Sequence, residues 1–265
     1  MVLDGLHILI LAAGKGTRMQ SSFPKCLHLY HGKPFLYWIL QSLSDFTHIS
    51  VIIQKEQESL FLHQLDLRFI SIPFQYIYQS LPLRGTGHAL QCWFESIQPQ
   101  LHERSSVLVI NGDMPNIQTS SILSFLRDID RQIKSNSIQM AIVAGIRENP
   151  FSRKGYGRIF VEEIESRIYI LEEKDCSDQQ LQSLSLCNLG LYWFSCQYLK
   201  ENLSKLTLSP SQQELYITQL TEWVPLSRIF VHVVQSSNLR FFEGINTIKE
   251  LENLEKDISI RNHLE

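Results

Sequence analysis

The sequence predicts an α/β protein in which helices flank a mixed, mostly parallel sheet. Short apolar runs alternate with amphipathic stretches of helical period, which is typical of βαβ units. The chain has 265 residues, of which 44% are hydrophobic and 19% are charged, so it can bury a substantial core. The first apolar run leads directly into a glycine-containing turn, which indicates a ligand site beside that strand.

The predicted elements follow in chain order. The strands of the first part are residues 7–11, 50–53, 74–78, 107–110 and 140–144, and its helices are residues 35–43, 86–97 and 119–133. After Pro150 the strand-like runs are residues 158–161, 167–171, 189–194 and 229–234. We interpret this second part as a mixed extension of the same sheet. A last helix is predicted at residues 247–258, with Thr247 and Glu250 as a capping box at its start.

Composition excludes several classes of protein. The net charge is −3, and a nucleic acid polymer requires a basic face, so we expect no such partner. The five cysteines are scattered and never form a Cys-x-x-Cys pair, which indicates a reducing compartment without disulfides or a zinc site. No apolar run approaches the ~20 residues that cross a bilayer. We therefore expect a cytoplasmic protein with no membrane partner.

The turn after the first predicted strand combines adaptable backbone with three cations. It consists of Leu-Ala-Ala-Gly-Lys-Gly-Thr-Arg-Met at residues 11–19, followed by Phe-Pro-Lys at residues 23–25. Gly14 and Gly16 tolerate positive φ, so successive N–H groups can form a nest for anions. Lys15, Arg18 and Lys25 supply charge, and a guanidinium can bind two phosphate oxygens at once. The spacing fits neither a Walker A loop nor a dinucleotide fingerprint, whose third glycine is here Met19.

A carboxylate follows the fourth predicted strand. Asp113 ends the run Asn-Gly-Asp directly after that strand. Ligands of open α/β sheets bind outside the carboxyl ends of the strands, so Asp113 and the glycine turn should share one crevice. Nucleoside triphosphates arrive with Mg²⁺, which takes one or two carboxylates together with phosphate oxygens and water. Asp113 is therefore a candidate Mg²⁺ ligand, and a helix cap or turn is its structural alternative.

These motifs together resemble the sugar-1-phosphate nucleotidylyltransferase family. The glycine turn, continued by Phe-Pro-Lys-Cys-Leu-His at residues 23–28, is most similar to the N-acetylglucosamine-1-phosphate uridylyltransferase domain of the bifunctional bacterial enzyme. The resemblance implies a Rossmann-like nucleotidyltransferase fold and the formation of UDP-N-acetylglucosamine and pyrophosphate from UTP and N-acetylglucosamine-1-phosphate. It implies Arg18 and Lys25 as catalytic cations. It also implies nucleotide contacts at Leu11, Ala12, Ala13, Gly14, Lys15 and Gly16.

The resemblance divides the chain and assigns the metal. It implies a nucleotidyltransferase domain at residues 1–246, with a nucleotide part at about 1–145 and a sugar part at about 146–246, and a C-terminal helix at 247–265. Asp113 and Asn246 are its implied Mg²⁺ ligands. Asn246 could instead cap the last helix, but Thr247 with Glu250 offers a better cap and frees the Asn246 amide oxygen. No hexapeptide repeats of an acetyltransferase domain occur in these residues. Association of copies through the last helix is a further expectation.

The base site is implied by Leu-Arg-Gly-Thr-Gly-His-Ala at residues 83–89, which resembles the uracil-binding segment of the family. Gly85 and Thr86 are the implied contacts, and Thr86 is also expected to cap the helix there. Gln79 is the implied base-recognising glutamine, although it lies one residue upstream of the family position. Ser80 is the ungapped alternative. Arg84 stands where the family usually has leucine.

The sugar site is implied by three short segments. Gly157 lies in Gly-Tyr-Gly-Arg, Glu172 in Leu-Glu-Glu-Lys-Asp, and Asn188 in Cys-Asn-Leu-Gly. Without the resemblance, Glu172 would be interpreted as part of a solvated loop. Leu189 replaces the threonine of the family, and Gln219 replaces an aspartate.

Three alternative functions remain at this stage. A pyrophosphorylase for glucose or another hexose, or a CTP-dependent cytidylyltransferase, would share the glycine turn and Asp113. A nicotinamide-dependent oxidoreductase would need a ribose-binding residue about twenty positions after the turn, and residues 33–38 offer none. A non-catalytic nucleotide-binding module would not need Lys25, Asp113 and Asn246.

Overall fold

A nine-stranded sheet organises the molecule. The computed structural model describes residues 4–14, 16, 19, 21, 23–65, 72–146, 155–162, 166–183, 186–209 and 212–261. The strands are β1 (Leu6–Leu11), β2 (Leu29–Tyr30), β3 (Lys33–Pro34), β4 (Ile49–Ile53), β5 (Phe74–Tyr78), β6 (Ser106–Asn111), β7 (Met140–Ile146), β8 (Arg158–Glu162), β9 (Arg167–Leu171), β10 (Leu186–Ser195) and β11 (Ile229–Val234). The helices are α1 (Phe35–Gln41), α2 (Glu58–Gln64), α3 (Gly85–Ile97), α4 (Thr119–Ser135), α5 (Asp178–Ser183), α6 (Cys196–Asn202) and α7 (Ile248–Arg261).

The strand order is β11-β7-β10-β6-β1-β4-β5, with β8 and β9 attached beside β10. β1 is parallel to both β4 and β6, β4 to β5, and β7 to β11. β10 is antiparallel to β6 and β7, between which it lies. The mostly parallel sheet and its mixed extension are therefore both confirmed. β2 and β3 form a separate two-stranded hairpin.

Both faces of the sheet are covered, which explains why its central strands are nearly continuous apolar runs. Ile8 and Ile10 pack on one face with residues of α1, α2 and α4. Leu9, between them, packs on the other face with residues of α3 and α6. Strand geometry turns successive side chains to opposite faces, so β1 has apolar residues facing both layers, and His7 is its one polar side chain.

All the predicted strands and helices are present, most of them with shifted ends. The strands at residues 74–78, 167–171 and 229–234 have the predicted bounds, whereas β10 begins at Leu186, three residues early. The short helices α2, α5 and α6 and the hairpin were not predicted. Each has seven residues or fewer, and such segments show too little periodicity to be recognised.

The C-terminal helix packs against its own chain. Leu251 and Leu254 contact a cluster that contains Tyr30, Phe35 and Ile245. The predicted capping box is confirmed, since the Glu250 N–H donates to Thr247 Oγ1 and the Thr247 N–H donates to Glu250 Oε2, both over 3.2 Å. Association through this helix stays a prediction. Among the described residues, no helix combines the length and apolarity that a bilayer crossing requires.

Candidate active site

A cavity of about 910 Å³ lies at the carboxyl ends of β1, β5 and β6. Leu11 and Asn111 are paired at the ends of the parallel strands β1 and β6, so whatever follows them meets at this edge. The lining includes most of the predicted nucleotide, catalytic and metal residues: Leu11, Ala12, Ala13, Gly14, Gly16, Lys25, Gln79, Gly85, Thr86, Asp113 and Asn246. The single crevice predicted for the glycine turn and Asp113 is therefore present.

The glycine turn is held close to Lys25. Gly16 has a φ of +61°, and a Cβ there would lie 2.9 Å from Cβ of Lys25, so the position requires glycine. Gly14 is exposed and has no positive φ, so only one of the two glycines uses the left-handed region. The Ala13 carbonyl accepts a 2.7 Å hydrogen bond from Gln54 Nε2. Lys15 and Arg18 lie outside the described residues, and their roles stay predictions.

Lys25 joins the two predicted metal ligands. Its ammonium forms an ion pair with Asp113 Oδ2 and donates a 2.8 Å hydrogen bond to Asn246 Oδ1. The Lys25 and Asp113 side chains are 17% and 21% exposed, so the ion pair is largely shielded from water. Residues from three distant parts of the chain thus meet at one cationic group.

Backbone contacts fix the Asp113 carboxylate. The Gly112 N–H donates to the Leu11 carbonyl over 2.9 Å, and a Cβ on Gly112 would lie 2.6 Å from that oxygen. The Ile245 N–H donates to the Asp113 carbonyl over 2.8 Å. A Cβ on Gly244 would lie 2.9 Å from Asp113 Oδ1. Glycine at residues 112 and 244 therefore permits the approach that brings Asp113 beside Asn246.

The donor set fits a hard divalent cation. Asp113 and Asn246 present one carboxylate and one amide oxygen to the same positive charge, and Mg²⁺ prefers such oxygen ligands. No cluster of three or more His, Cys, Asp and Glu side chains suited to a metal occurs in the described ranges. A cation here would complete its coordination with phosphate oxygens and water.

Gln79 and Ser80, the two candidates for recognising the base, have different surroundings. Gln79 is 6% exposed and lines the cavity, and its Nε2 donates to the Gly85 carbonyl over 3.1 Å. The Ser80 hydroxyl instead lies 3.3 Å from Nε2 of His88. The prediction that Thr86 caps α3 was wrong. Arg84 occupies the cap position, and Thr86 Oγ1 accepts the Ile217 N–H over 3.1 Å because the chain around residue 217 packs against this turn.

The three predicted sugar residues lie close to one another but are not among the residues that line the cavity. The Asn188 N–H donates to the Gly157 carbonyl over 2.9 Å, and Glu172 Oε1 lies 3.8 Å from where a Cβ on Gly157 would be. Asn188 Nδ2 donates to the Tyr192 hydroxyl over 2.6 Å. Burial raises the pKa of Tyr192; the hydrogen bond with Asn188 opposes this shift, and the charges of Glu172 and Asp113 add to it.

The family departures at Leu189 and Gln219 have structural explanations. Leu189 is 2% exposed and belongs to the core, since the alternation along β10 turns it away from the face that carries Asn188. Gln219 forms two 3.0 Å hydrogen bonds with the backbone of Thr207 and fixes the loop there. Neither departure therefore removes a group that lines the cavity.

Sequence analysis missed several residues of this region. The Tyr156 hydroxyl accepts the Gly244 N–H over 2.9 Å and ties the sugar segment to the segment that carries Asn246. Asn111 and Glu214 also line the cavity. Tyr156 falls inside the Gly-Tyr-Gly-Arg motif that carried part of the resemblance, and that position was the one available signal for it.

The cavity contains no activated thiol at Cys26. This side chain is buried, and burial raises the pKa of its thiol to about 12. The thiol therefore stays protonated at neutral pH and is a poor nucleophile. The described side chains of the cavity can neutralise the charge of a ligand and hold that ligand in position.

The sheet is mostly parallel, and its carboxyl edge carries the glycine turn, Lys25 and the pair Asp113 and Asn246. This combination defines a nucleotidyltransferase type of protein. The model of the MobA-like NTP transferase domain matches residues 8–174, and the chain belongs to this family. It is 30% identical over 256 residues to the bifunctional protein GlmU of Thermosipho africanus, covering 97% of this chain and 51% of that one. It is 33% identical over 261 residues to GlmU of Prochlorococcus marinus, covering 97% and 53%.

The chain spans about half the length of these curated relatives. Among solved structures, it is similar to the UDP-glucose phosphorylase of Trypanosoma brucei, with a TM-score of 0.70. That match covers 96% of this chain and 65% of the other at 16% identity, and it shows the shared fold alone.

Proposed function

We propose that the chain transfers a uridylyl group from UTP to N-acetylglucosamine-1-phosphate and releases pyrophosphate. One observation supports this most: the glycine turn, Lys25, Asp113 and Asn246 all line one cavity. Its 910 Å³ are within the range of pockets that hold small ligands. The sequence motifs that resemble the uridylyltransferase domain supply the choice of base and sugar.

In the proposed reaction, a phosphate oxygen of the sugar phosphate attacks the α-phosphorus of UTP in line, and pyrophosphate leaves. The nucleophile is already an anion, so the step requires no general base and no covalent enzyme intermediate. The work of the protein is to hold two mutually repelling anions together and to neutralise the leaving group. Lys15, Arg18 and the amides of the glycine turn contact the β- and γ-phosphates, and Lys25 contacts the α-phosphate or the sugar phosphate.

Asp113 and Asn246 would hold Mg²⁺, which supplies charge neutralisation for the reacting phosphates when bound. Gly112 and Gly244 keep those two ligands in place through the close backbone approaches described above. Lys25 must release at least one of its two partners when the metal and substrates enter, because it occupies the space between them.

The sugar is proposed to bind beside Tyr192, where Gly157, Glu172 and Asn188 cluster. Glu172 would accept hydrogen bonds from sugar hydroxyls, and Gly157 would offer its amide. The buried Asn188, held by Tyr192 and by the Gly190 N–H, stiffens this wall.

The test is pyrophosphate release by the purified chain with Mg²⁺, using UTP, CTP, dTTP and ATP against N-acetylglucosamine-1-phosphate, glucose-1-phosphate and galactose-1-phosphate. We expect the highest kcat/KM for UTP with N-acetylglucosamine-1-phosphate. Turnover with CTP alone would overturn the proposal for the base, and preference for glucose-1-phosphate would overturn it for the sugar. Asp113→Asn should lower kcat by about 10²–10³, and an unchanged kcat would contradict the metal assignment.

A further inference from the structure

Four side chains form a continuous hydrogen-bonded series behind the base side of the cavity. Gln79 Nε2 lies 3.1 Å from the Gly85 carbonyl oxygen and 3.2 Å from Nδ1 of His88. His88 Nε2 lies 3.3 Å from Ser80 Oγ, which lies 3.6 Å from Sγ of Cys92. The base contacts that the sequence motifs imply include Gln79 but give no role to His88.

The direction of these hydrogen bonds follows from one fixed acceptor. A backbone carbonyl can only accept, so the amide atom of Gln79 that faces the Gly85 oxygen must be the NH₂ group. The second hydrogen of that NH₂ group is directed to His88 Nδ1, which must then carry a lone pair. The His88 ring is therefore the Nε2–H tautomer, and this N–H donates to Ser80 Oγ.

This arrangement has a consequence for the ligand. Both NH₂ hydrogens of Gln79 are committed within the protein, and no described residue donates a hydrogen bond to Oε1. Gln79 therefore offers an acceptor to whatever fills the cavity. Uracil carries a donor at N3, whereas N3 of cytosine is itself an acceptor, so an acceptor at this place distinguishes the two bases.

We propose that His88 is a positioning residue that fixes the amide of Gln79, so that its carbonyl oxygen and not its NH₂ group meets the base. This proposal rests on the proposed function, since it assumes that the base lies at Gln79. Without His88, the NH₂ group keeps only the Gly85 carbonyl as its partner, so the orientation of the amide is held by one hydrogen bond instead of two and is less strongly fixed. Burial lowers the pKa of His88, and the charge of Arg84 lowers it further against the opposing effect of Glu95, which keeps the ring neutral.

A matched pair of substitutions separates this role from simple packing. Asparagine places an acceptor oxygen where His88 has Nδ1, whereas leucine fills a similar volume without any acceptor. We expect His88→Leu to lower the UTP-over-CTP ratio of kcat/KM by about 10- to 100-fold, mainly by raising KM for UTP. His88→Asn should keep that ratio within about 3-fold of the wild-type value.

Two outcomes would overturn the proposal for a folded, active protein. One is an unchanged ratio in His88→Leu, and the other is an equal loss in His88→Leu and His88→Asn. A merely structural role would lower kcat with both nucleotides alike and leave the ratio intact.

A measurement on the unmodified protein covers the case in which a variant does not fold. Selective ¹⁵N labelling of histidine, followed by long-range ¹H–¹⁵N correlation, identifies which ring nitrogen carries the proton. We expect the Nε2–H tautomer for His88, and an Nδ1–H tautomer would overturn the proposal. If the wild-type protein releases no pyrophosphate with UTP, the proposed function fails instead, and the tautomer still decides the arrangement of the Gln79 amide.

Discussion

The Nζ atom of Lys25 lies 2.8 Å from Oδ1 of Asn246, across 221 positions of sequence, while the same ammonium pairs with Asp113. The two predicted Mg²⁺ ligands are thus joined by a cation that belongs to the protein. An ammonium and a divalent cation cannot both occupy the space between one carboxylate and one amide oxygen. If Asp113 and Asn246 hold Mg²⁺ as proposed, Lys25 competes with that metal in the absence of substrate.

Substitution of Lys25 by methionine should show this competition directly. We expect the Lys25→Met variant to bind Mn²⁺ about tenfold more tightly without nucleotide, because the Asp113 carboxylate is no longer paired with an ammonium group. Its kcat should fall by about 10²–10³, since a cation near the reacting phosphates is lost. Metal affinity is measured by calorimetry or by the electron paramagnetic resonance of free Mn²⁺.

The control removes an equal charge elsewhere. Lys55 is exposed and pairs with Glu58 on the surface, so Lys55→Met should leave Mn²⁺ affinity unchanged. Equal shifts in the two variants would mean that net charge, and not the pairing with Asp113, governs metal affinity.

Gly244 is predicted to be intolerant of a side chain. A Cβ there would lie 2.9 Å from Oδ1 and 3.2 Å from Cγ of Asp113, so Gly244→Ala must displace that carboxylate. We expect kcat to fall by about 10- to 100-fold, comparable with the loss of one well-placed electrostatic group. Steady-state assays of pyrophosphate release measure the effect, with the thermal unfolding midpoint as a check on folding.

A double-mutant cycle decides whether that loss acts through Asp113. In an Asp113→Ala background, Gly244→Ala should cost little further activity, because the carboxylate it displaces is already absent. Additive losses would show that Gly244 serves another group, such as the Tyr156 hydroxyl that its N–H contacts.

The parts of the site that were predictable are those that local sequence specifies. The glycine turn follows β1 and Asp113 follows β6, and a parallel register brings the ends of both strands to one edge. Which of Gln79 and Ser80 faces the cavity depends on how β5 ends, and the sequence alone does not show this. There the Gln79 N–H donates to the Ile53 carbonyl and continues the ladder to β4.

The unpredicted features depend on contacts between distant segments. The pairing of Lys25 with Asn246 has no local signal, and neither has the insertion of β10 between β6 and β7. Thr86 has the residue type of a cap, but packing of Ile217 against it gives its hydroxyl a different partner. Tertiary contacts of this kind override local preference, as they do for helix propensity in general.

Glu250 is predicted to support both α7 and Asn246. Its Oε2 accepts the backbone N–H groups of Asn246 over 2.5 Å and of Thr247 over 3.2 Å. Glu250→Ala should therefore cost about 1 kcal/mol of unfolding free energy, as the loss of a cap does. We also expect kcat to fall about tenfold, because Asn246 is no longer held beside Lys25.

Glu250→Gln is the matched control, since it keeps an acceptor oxygen at the same position. Urea unfolding and pyrophosphate release are measured for both variants, and the glutamine variant should lie close to the wild type. Full activity in Glu250→Ala would mean that the hydrogen bond to Lys25 is enough to hold Asn246 in place without the Glu250 carboxylate.

His7 makes stability dependent on pH at the edge of the sheet opposite the cavity. It lies near the start of β1, is 9% exposed, and its ring centroid is 5.1 Å from that of His48 and 6.1 Å from that of Trp93. Burial, and to a smaller extent the charges of His48 and His102, lower the pKa of His7 from 6.5 to about 4. Between about pH 4 and pH 6.5, His7 is therefore mostly protonated in the unfolded state and mostly neutral in the folded state.

The sign of the effect follows from linkage. Well above pH 6.5, His7 is neutral in both the folded and the unfolded state, and its contribution to the free energy of unfolding is complete. As the pH falls from 6.5 toward 4, the unfolded state takes up the proton first, so the free energy of unfolding decreases through that window. Because water reaches part of the ring, we expect a loss on the order of 1 kcal/mol between pH 7 and pH 5.

His7→Gln removes the titrating group, and the difference in unfolding free energy between pH 7 and pH 5 should shrink by that amount. Urea denaturation at the two pH values measures it, and the slope with pH is the readout because the substitution also changes the baseline. His63→Gln, on the exposed face of α2, is the control and should keep the wild-type pH dependence. If His7→Gln shows that same dependence, His7 is protonated alike in the folded and unfolded states, and another group governs acid sensitivity.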